Sequence, residues 1–305
     1  MFQVSVIICT HNPRRDYLEK TIQGLQLQTL HQDKWELILV DNASSPKLED
    51  SVLPKLHPHA SLVFESTPGL TAARLCGGKE SSSELLLFVD DDNVLAPNYL
   101  ETALSIGREH KKLGCWGGSA IGLFEEHPEP WLIEFLPWIA VRKVVDPCWS
   151  NLPLHVDSTP IGAGLVVRKG IFDAYSRQLE CSPIRQSLDR SGLSLMSGGD
   201  IDIAYTACKE GFGKGVFPEL TLDHLISKER VQFKYVKNLI KMSSCSSWLL
   251  RVSHGMHPPL KLSSGKGGIL RMLYLYSIPT KRNRLRAARE RGFRRGERLA
   301  RSYEN

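Results

Sequence analysis

Apolar residues occur in short, dense runs along the first 112 residues, and each run gives way to polar residues. Runs of this length that are rich in β-branched residues predict strands, and the segments between most of them have apolar residues at helical spacing. The predicted strands of this part are "VSVIICT", "WELILVDN", "SLVFES" and "ELLLFVD". Strands that alternate with helices predict an α/β fold with a mostly parallel central sheet flanked by helices.

The first helical segment has a clear apolar side. We expect a helix from about Arg14 to Leu30, with Tyr17, Ile22, Leu25 and Leu27 on its buried face. Two further helices are expected in "PGLTAARLCGGKESSS" and "PNYLETALSIGREHKK".

After residue 112 the alternation becomes less regular. The segment "GCWGGSAIGLF" predicts a strand, and "EEHPEPWLIEFLPWIAVR", which is rich in Pro and Trp, predicts a partly exposed helical flap. A strand and helix are expected in "IGAGLVVRKGIF", and another helix and strand in the segment that ends near His224. We predict one α/β domain over residues 1–230 and a C-terminal helical extension over residues 231–305.

The fourth strand runs directly into Asp90, Asp91, Asp92 and Asn93. Adjacent carboxylates repel one another and raise one another's pKa unless a cation or hydrogen-bond donors lie among them. A solvated turn is one interpretation of this cluster. The other is a divalent-metal site at the carboxyl end of a sheet strand, where open α/β sheets bind their ligands.

Polar side chains also follow the first two strands. Thr10 and Asn12 lie at the end of the first strand, and Asp41 ends the second. Because the carboxyl ends of parallel strands meet at one edge of the sheet, we expect these residues to lie near the acidic cluster.

Composition favours a folded intracellular protein. Apolar residues make up 42% of the chain and charged residues 24%, which is typical of globular domains. The seven cysteines are odd in number and show neither a C-x-x-C pair nor zinc-site spacing, which predicts free thiols in a reducing compartment. No apolar run reaches the length of a membrane span, and no charged leader precedes a hydrophobic segment at the N-terminus. We expect a cytoplasmic protein.

The positive charge is concentrated near the C-terminus. Residues 281–305 contain ten Lys or Arg and three Glu, a balance of +7, whereas the whole chain carries +6, so the first 280 residues carry −1. An apolar helical face through Ile269, Leu273 and Tyr276 precedes this basic stretch. A solvated helix is one interpretation of the stretch, and peripheral contact with the anionic inner face of the plasma membrane is the other. Nucleic-acid binding is not expected, because no stacking aromatics accompany the charge.

Neither the dinucleotide fingerprint G-x-G-x-x-G nor the P-loop motif follows the first strand. A nucleotide would therefore be held by side chains and a metal. Six segments, in order and spacing, resemble the family 2 glycosyltransferases, which have the GT-A fold: "VSVIICTHN", "LILVDNAS", "PGLTAARLCGG", "FVDDDNVLAPNYL", "GAGLVVRKGIF" and "SGGDIDIAYTACKEGF". The resemblance implies that residues 1–112 bind a nucleotide sugar and that residues 113–230 bind an acceptor.

The resemblance also implies which residues contact the nucleotide. These are Thr10, Asn12, Asp41, Gly69, Arg74, Asp90 and Asp92. The first three would hold the base, Gly69 and Arg74 would lie beside the base or diphosphate, and Asp90 would face the ribose. A simple ion pair between Arg74 and a nearby acid is an alternative.

The acidic triplet is similar to the D-x-D motif of the family, which implies Asp92 as a ligand of Mn²⁺ or Mg²⁺ and His224 as a second ligand. A carboxylate together with diphosphate oxygens suits these hard cations. A purely structural role is the alternative for His224. Asp91 is expected to point away from the site, and Asn93 stands where the family often has another acid.

An inverting reaction, which the resemblance implies, needs a general base opposite the leaving diphosphate. The resemblance assigns this role to Asp200, which follows Gly199 where the family has a glutamate. Asp202 is the alternative base, although an acid in the first turn of a helix is favourable for electrostatic reasons alone.

The implied function is metal-dependent transfer of one sugar from a nucleoside diphosphate sugar to a hydroxyl group of a glycan or lipid-linked glycan, in bacterial polysaccharide assembly. The Q-x-x-R-W motif of the processive synthases of the family is absent. Two alternatives stay open at this point. A sugar nucleotidyltransferase would need a Gly-rich basic stretch after the first strand, and a non-catalytic glycan-binding or scaffold protein is favoured by Gly199.

Overall fold

The computed structural model describes residues 2–49, 57–190, 192, 194–256 and 280–303. The chain forms two compact units. Unit 1 comprises Met1–Leu123, Ala140–Gln178 and Asp200–Ile226, and unit 2 comprises Phe124–Ile139, Leu179–Gly199 and Ser227–Asn305. The expected apolar face at Ile269, Leu273 and Tyr276 lies outside the described residues.

Unit 1 is built around one mixed sheet. Its strands are β1 Val4–Thr10, β2 Trp35–Asn42, β3 Ala60–Glu65, β4 Leu85–Asp90, β5 Asn93–Leu95, β6 Leu113–Phe124, β7 Cys148–Ser150, β8 Leu165–Arg168 and β9 Gly213–Ile226. The strand order is β3-β2-β1-β4-β8-β6-β9-β5, and β7 pairs with β9 outside this path.

The predicted α/β sheet is confirmed, but its parallel part is limited to one half. The pairs β2–β3, β1–β2 and β1–β4 are parallel. The pairs β4–β8, β6–β8, β5–β9 and β7–β9 are antiparallel, so the sheet as a whole is mixed. The sequence pattern missed this because a short strand gives no local signal of its direction.

The helices that belong to these strands are short. They are α1 Arg15–Gln26, α2 Leu70–Glu80, α3 Tyr99–Glu109, α4 Lys169–Glu180 and α6 Gly199–Lys209, with a 3₁₀ turn at Gln32–Lys34. Strands β1 and β4 are buried along almost their whole length, as expected for parallel strands that are covered on both faces. The expected buried position of Leu27 is wrong: α1 ends at Gln26, and the Leu27 side chain is exposed.

Unit 2 contains helical segments. They are a 3₁₀ helix at Ile133–Ile139, within the predicted flap, and the helices α5 Pro183–Gln186, α7 Phe233–Ser253 and α8 Lys281–Tyr303. No helix in the described part of the chain is both long enough and apolar enough to cross a membrane. The domain bounds 1–230 and 231–305 stay a prediction.

Candidate active site

The register of the parallel strands brings three polar strand ends together. Thr10 of β1 pairs with Asp41 of β2, and Cys9 pairs with Asp90 of β4. Strand β8 runs antiparallel to β4, and Leu165 near its start pairs with Phe88 near the end of β4. The loop before β8 therefore reaches the same edge of the sheet.

Asp91 takes part in this edge. The Thr10 hydroxyl donates a hydrogen bond to Asp91 Oδ2. The Asp91 carboxylate therefore points towards the end of β1, and the expectation that it points away from the ribose and the metal stays a prediction. This contact links the first strand to the acidic turn.

Asn93 holds the acidic turn in shape. Its side chain is fully buried, accepts a hydrogen bond from the Asp90 backbone N–H at 3.2 Å and donates one to Asp92 Oδ1 at 3.0 Å. An ionised carboxylate has no proton to donate, so an acid at this position would lose the second bond. The departure from the family pattern at residue 93 thus has a local structural reason.

Asp41 is buried, with only 1% of its surface exposed. Its two carboxylate oxygens accept the backbone N–H groups of Ser44 at 3.0 Å and Leu48 at 2.9 Å. These bonds shape the loop after β2. A carboxylate has about four acceptor sites, so contact with a base N–H stays a prediction for Asp41.

Asn12 connects the ends of β1 and β2. Its backbone N–H donates to Ser44 Oγ at 2.9 Å, and its side-chain oxygen accepts the Ser45 N–H at 2.8 Å. The backbone of Asn12 has a φ of +50°, which asparagine tolerates better than most residues. The residue therefore fixes the loop that borders the predicted base site.

Gly69 precedes α2 with a φ of +145°, which only glycine adopts readily. Its N–H donates to Asn42 Oδ1 at 2.7 Å, and Asn42 in turn donates to the Thr67 carbonyl at 2.7 Å. Asn42, which ends β2, therefore determines where the Pro-Gly turn lies.

Arg74 and Asp200 meet at Gly162. The Gly162 N–H donates to Asp200 Oδ2 at 2.8 Å. A Cβ atom on Gly162 would lie 2.7 Å from Arg74 Nη2 and 3.5 Å from Asp200 Oδ2. Glycine at this position therefore leaves the space that the buried guanidinium of Arg74 occupies.

Charged side chains from two elements act on the pKa of the Cys9 thiol at this edge of the sheet. Burial raises the pKa of the Cys9 thiol well above its usual range. The positive charge of Arg74 acts in the opposite direction on this pKa, and the charges of Asp90 and Asp91 add to the rise. Arg74 and the acidic turn thus act on a common, unreactive thiol at the end of β1.

The two candidate bases differ in access. Asp200 lies in the first turn of α6, is partly exposed, and accepts the Ile201 N–H at 2.9 Å in addition to the Gly162 bond. Asp202 lies in the same turn and is 0% exposed. Only Asp200 of these two can meet a ligand without a change in the helix.

Asp92 and His224 lie side by side because Asn93 of β5 pairs with His224 of β9. Asp92 Oδ2 lies 3.4 Å from His224 Nε2. His224 Nδ1 lies 3.2 Å from the Ala140 carbonyl, which assigns the Nδ1 proton to that hydrogen bond and leaves Nε2 towards the carboxylate. Across the described residues, no cluster of three or more His, Cys, Asp or Glu side chains is arranged around a common point.

Three groups at this edge were not identified from the sequence. Asn42 shapes the turn before α2, the Gly162 backbone orients Asp200, and the Ala140 carbonyl orients His224. A small residue before a strand, as in "IGAG", is a weak hint of close approach, and the other two groups leave no signal in the sequence.

A family model described as glycosyl transferase family 2 matches residues 5–158, just over half of the chain. An uncharacterized glycosyltransferase, YwdF, of Bacillus subtilis is 30% identical over 99 residues, which span 32% of this chain and 36% of that protein. A validoxylamine A glucosyltransferase of Streptomyces hygroscopicus subsp. jinggangensis is 29% identical over 153 residues, 48% of this chain and 36% of that protein. The matched segments thus span little more than a third of these relatives.

The fold is also similar to that of a solved structure. The crystal structure of S. aureus TarS 1-349 superposes with a TM-score of 0.50 at 14% identity, covering 99% of this chain and 91% of that chain. This likeness concerns the fold alone, while the match to the family model extends from β1 to the loop before β8. The chain belongs to glycosyl transferase family 2.

Proposed function

We propose that this protein is a metal-dependent inverting glycosyltransferase that moves one sugar from a nucleoside diphosphate sugar to a hydroxyl acceptor. Family membership supports the reaction class. The observation that supports the mechanism most directly is the meeting of Asp200 and Arg74 at Gly162, on the sheet edge that also bears the acidic turn.

The donor would be held by side chains at the ends of the parallel strands. Asp41 and the loop fixed by Asn12 border the site for the base, and Asp90 lies one strand further along for the ribose. Arg74, whose guanidinium presents several donors in a plane, suits a diphosphate. Gly69 keeps the turn before α2 free of a side chain, so that the backbone can approach the nucleotide.

Asp92 and His224 fit a divalent cation such as Mn²⁺ or Mg²⁺. The Nδ1 atom of His224 faces the Ala140 carbonyl, so its Nε2 atom presents a lone pair towards the Asp92 carboxylate. Two hydrogen-bond acceptors that face each other are stable only when a proton or a cation lies between them. Two protein ligands leave coordination positions for diphosphate and water oxygens. When bound, the cation neutralises negative charge on the departing nucleoside diphosphate.

Asp200 would act as the general base. In the transfer, the acceptor oxygen forms a bond to the anomeric carbon, the bond from that carbon to the diphosphate oxygen breaks, and the acceptor proton passes to the Asp200 carboxylate. The N–H groups of Gly162 and Ile201 hold the carboxylate in one orientation. Attack from the side opposite the diphosphate inverts the configuration of the sugar.

The acceptor class proposed is a glycan or a lipid-linked glycan in polysaccharide assembly, on the cytoplasmic side of a membrane. Peripheral contact with that membrane through the basic C-terminal helix α8 belongs to the same proposal. The ten exposed Lys or Arg side chains on α8 support it, because each basic residue that faces an anionic surface contributes about 1 kcal/mol.

An Asp200→Asn variant tests the assignment of the base. The amide keeps an oxygen that can accept the Gly162 N–H but cannot take a proton, so the transfer rate should fall by about 10²–10⁴-fold while nucleotide affinity stays within about twofold. Transfer is measured as nucleoside diphosphate release from UDP-, GDP-, dTDP- and CDP-sugars with a set of hydroxyl acceptors and Mn²⁺. Nucleotide binding is measured separately by calorimetry.

The matched control is Asp173→Asn, which removes a partly exposed acid of α4 that pairs with Lys169 at 3.4 Å. This variant should transfer at the normal rate. Unchanged transfer in Asp200→Asn would refute the role of Asp200 as base, and an unchanged D200N variant combined with an inactive Asp202→Asn variant would point to Asp202.

A further inference from the structure

Helix α8 buries its small residues against α7. Gly292 and Gly296 lie one turn apart, and a Cβ atom on them would lie 2.7 Å from the Ser244 Cβ and 2.7 Å from the Trp248 Cβ respectively. Ala288 and Ala300 continue the same row and are also buried. The apolar side of α8 is therefore already covered by α7 and cannot insert into a lipid layer.

Carboxylates neutralise the first turns of α8. Lys281 pairs with Glu129 at 2.5 Å, and Arg282 and Arg286 both pair with Glu134, at 2.5 Å and 3.1 Å. Near the end of the helix, Arg301 pairs with Glu297 at 2.7 Å. Most of the other basic residues of α8 lie between these two regions.

A groove of about 470 Å³ lies between the two carboxylate-paired regions of α8. One residue of α7 and five residues of α8 form it. It is lined by Lys241, Arg291, Arg294, Arg295, Arg298 and Leu299. We call it the α7–α8 basic groove. The lining contains no Asp or Glu, and two of its arginines contact α7 or α8: Arg291 Nε donates to the Ala287 carbonyl at 3.4 Å, and Arg295 Nη1 donates to the Met242 sulfur at 3.8 Å.

Five cations around one concavity repel each other, and this repulsion disappears when an anion with several oxygens binds among them. Guanidinium groups pair best with planar or tetrahedral oxyanions through two parallel hydrogen bonds. We propose that the α7–α8 basic groove binds a phosphate-bearing anion. The inference deepens the peripheral contact of α8 proposed above.

Other anionic partners fit the groove less well. The lining contains no aromatic side chain on which a nucleic-acid base could stack, so RNA or DNA would gain only backbone contacts. Insertion of α8 into a bilayer is prevented because α7 covers its apolar side. A phosphate group needs neither a stacking aromatic side chain nor insertion of α8 into the bilayer. It can come from a lipid headgroup or from a free phosphate ester.

The test compares two double variants of the same helix. Arg294→Gln/Arg298→Gln removes two charges from the groove, and Arg284→Gln/Arg289→Gln removes two exposed charges outside it. One arm measures co-sedimentation with vesicles of phosphatidylglycerol and phosphatidylcholine, against vesicles of phosphatidylcholine alone. The other arm measures binding of inorganic diphosphate by calorimetry.

We expect the groove double variant to bind about tenfold to thirtyfold more weakly and the control to bind within about twofold of the natural protein. Binding should also weaken as salt is raised. Loss in the vesicle arm identifies a lipid headgroup as the source, and loss in the diphosphate arm alone identifies a soluble phosphate. Binding in neither arm, or equal loss in both double variants, would overturn the proposal. These experiments measure binding and not sugar transfer, so a negative result would leave the proposed transfer reaction unaffected. That reaction is tested separately by the Asp200→Asn variant.

Discussion

At the scale of the residue, the acidic turn shows how two uncharged side chains help to make three adjacent acids tolerable. Asn93 gives a hydrogen bond to Asp92 and accepts one from the Asp90 backbone, and Thr10 gives one to Asp91. Each donor reduces the repulsion that three adjacent carboxylates would otherwise produce. The sequence predicted that donors or a cation must lie among these acids, and the structure shows that donors do.

Asn93→Asp should destabilise the protein. A fourth carboxylate at a fully buried position would lose the bond to Asp92 and add a like charge, so the free energy of unfolding should fall by about 1–3 kcal/mol. Urea denaturation measures this change. The matched control is Asn98→Asp at the exposed N-cap of α3, where an acid is a good capping residue and stability should be unchanged or slightly higher. Equal stability of N93D and the natural protein would show that the Asn93 bonds contribute nothing.

At the scale of the element, glycines set how closely two helices pack. The row formed by Ala288, Gly292, Gly296 and Ala300 recurs every four residues, so it runs along one face of α8 and lets the α7 backbone approach. The sequence showed a basic helix in this region. It did not show that the small residues of that helix form its buried side, because their spacing is inconspicuous among the arginines.

Gly292→Ala should lower the free energy of unfolding by about 1–3 kcal/mol, because the added methyl group meets Ser244 and the α7 backbone. Thermal and urea melts measure the loss. Gly170→Ala is the control: this glycine lies in α4, a Cβ there would meet nothing within 4 Å, and the change should raise stability by about 0.5–1 kcal/mol. The opposite signs separate packing from helix propensity, and a stabilising G292A would contradict the close approach.

At the scale of the whole molecule, unit 1 brings together residues that are far apart in the chain. Asp92 and His224 become neighbours because β5 pairs with β9, and Arg74 and Asp200 become neighbours through the loop before β8. Both juxtapositions depend on antiparallel strands in the second half of the sheet. The proposed metal site and the proposed base site are therefore properties of the completed sheet.

His224→Gln should remove the metal-dependent part of nucleotide binding. A ligand that binds only the folded state raises the melting temperature, and Mn²⁺ should increase the shift produced by a nucleoside diphosphate in the natural protein. In H224Q the Mn²⁺-dependent increase should vanish, with at least about a tenfold loss in Mn²⁺ affinity, while the shift without metal stays the same. His59→Gln, at an exposed histidine of unit 1, should behave like the natural protein. A full Mn²⁺ response in H224Q would exclude His224 as a ligand.

Much of the first half of the fold could be predicted from the sequence. The strands β1, β2, β3 and β4 were expected close to their observed bounds, because dense β-branched runs are a local signal. The position of Leu27 and the direction of the later strands were not, since a helix end depends on a few hydrogen bonds and strand direction depends on the path of distant segments.

The sequence by itself determined the parallel half of the sheet, the candidate acids at its edge and the concentration of charge at the C-terminus. These features follow from apolar patterning and residue type, which depend only on residues close together in the sequence. Only the tertiary structure decided that Asp91 bonds to Thr10, that Gly162 joins Arg74 to Asp200, that His224 lies against Asp92 and that the α8 arginines line a groove. Each of these contacts joins different elements of the chain, and their formation depends on packing and strand pairing that no local pattern encodes.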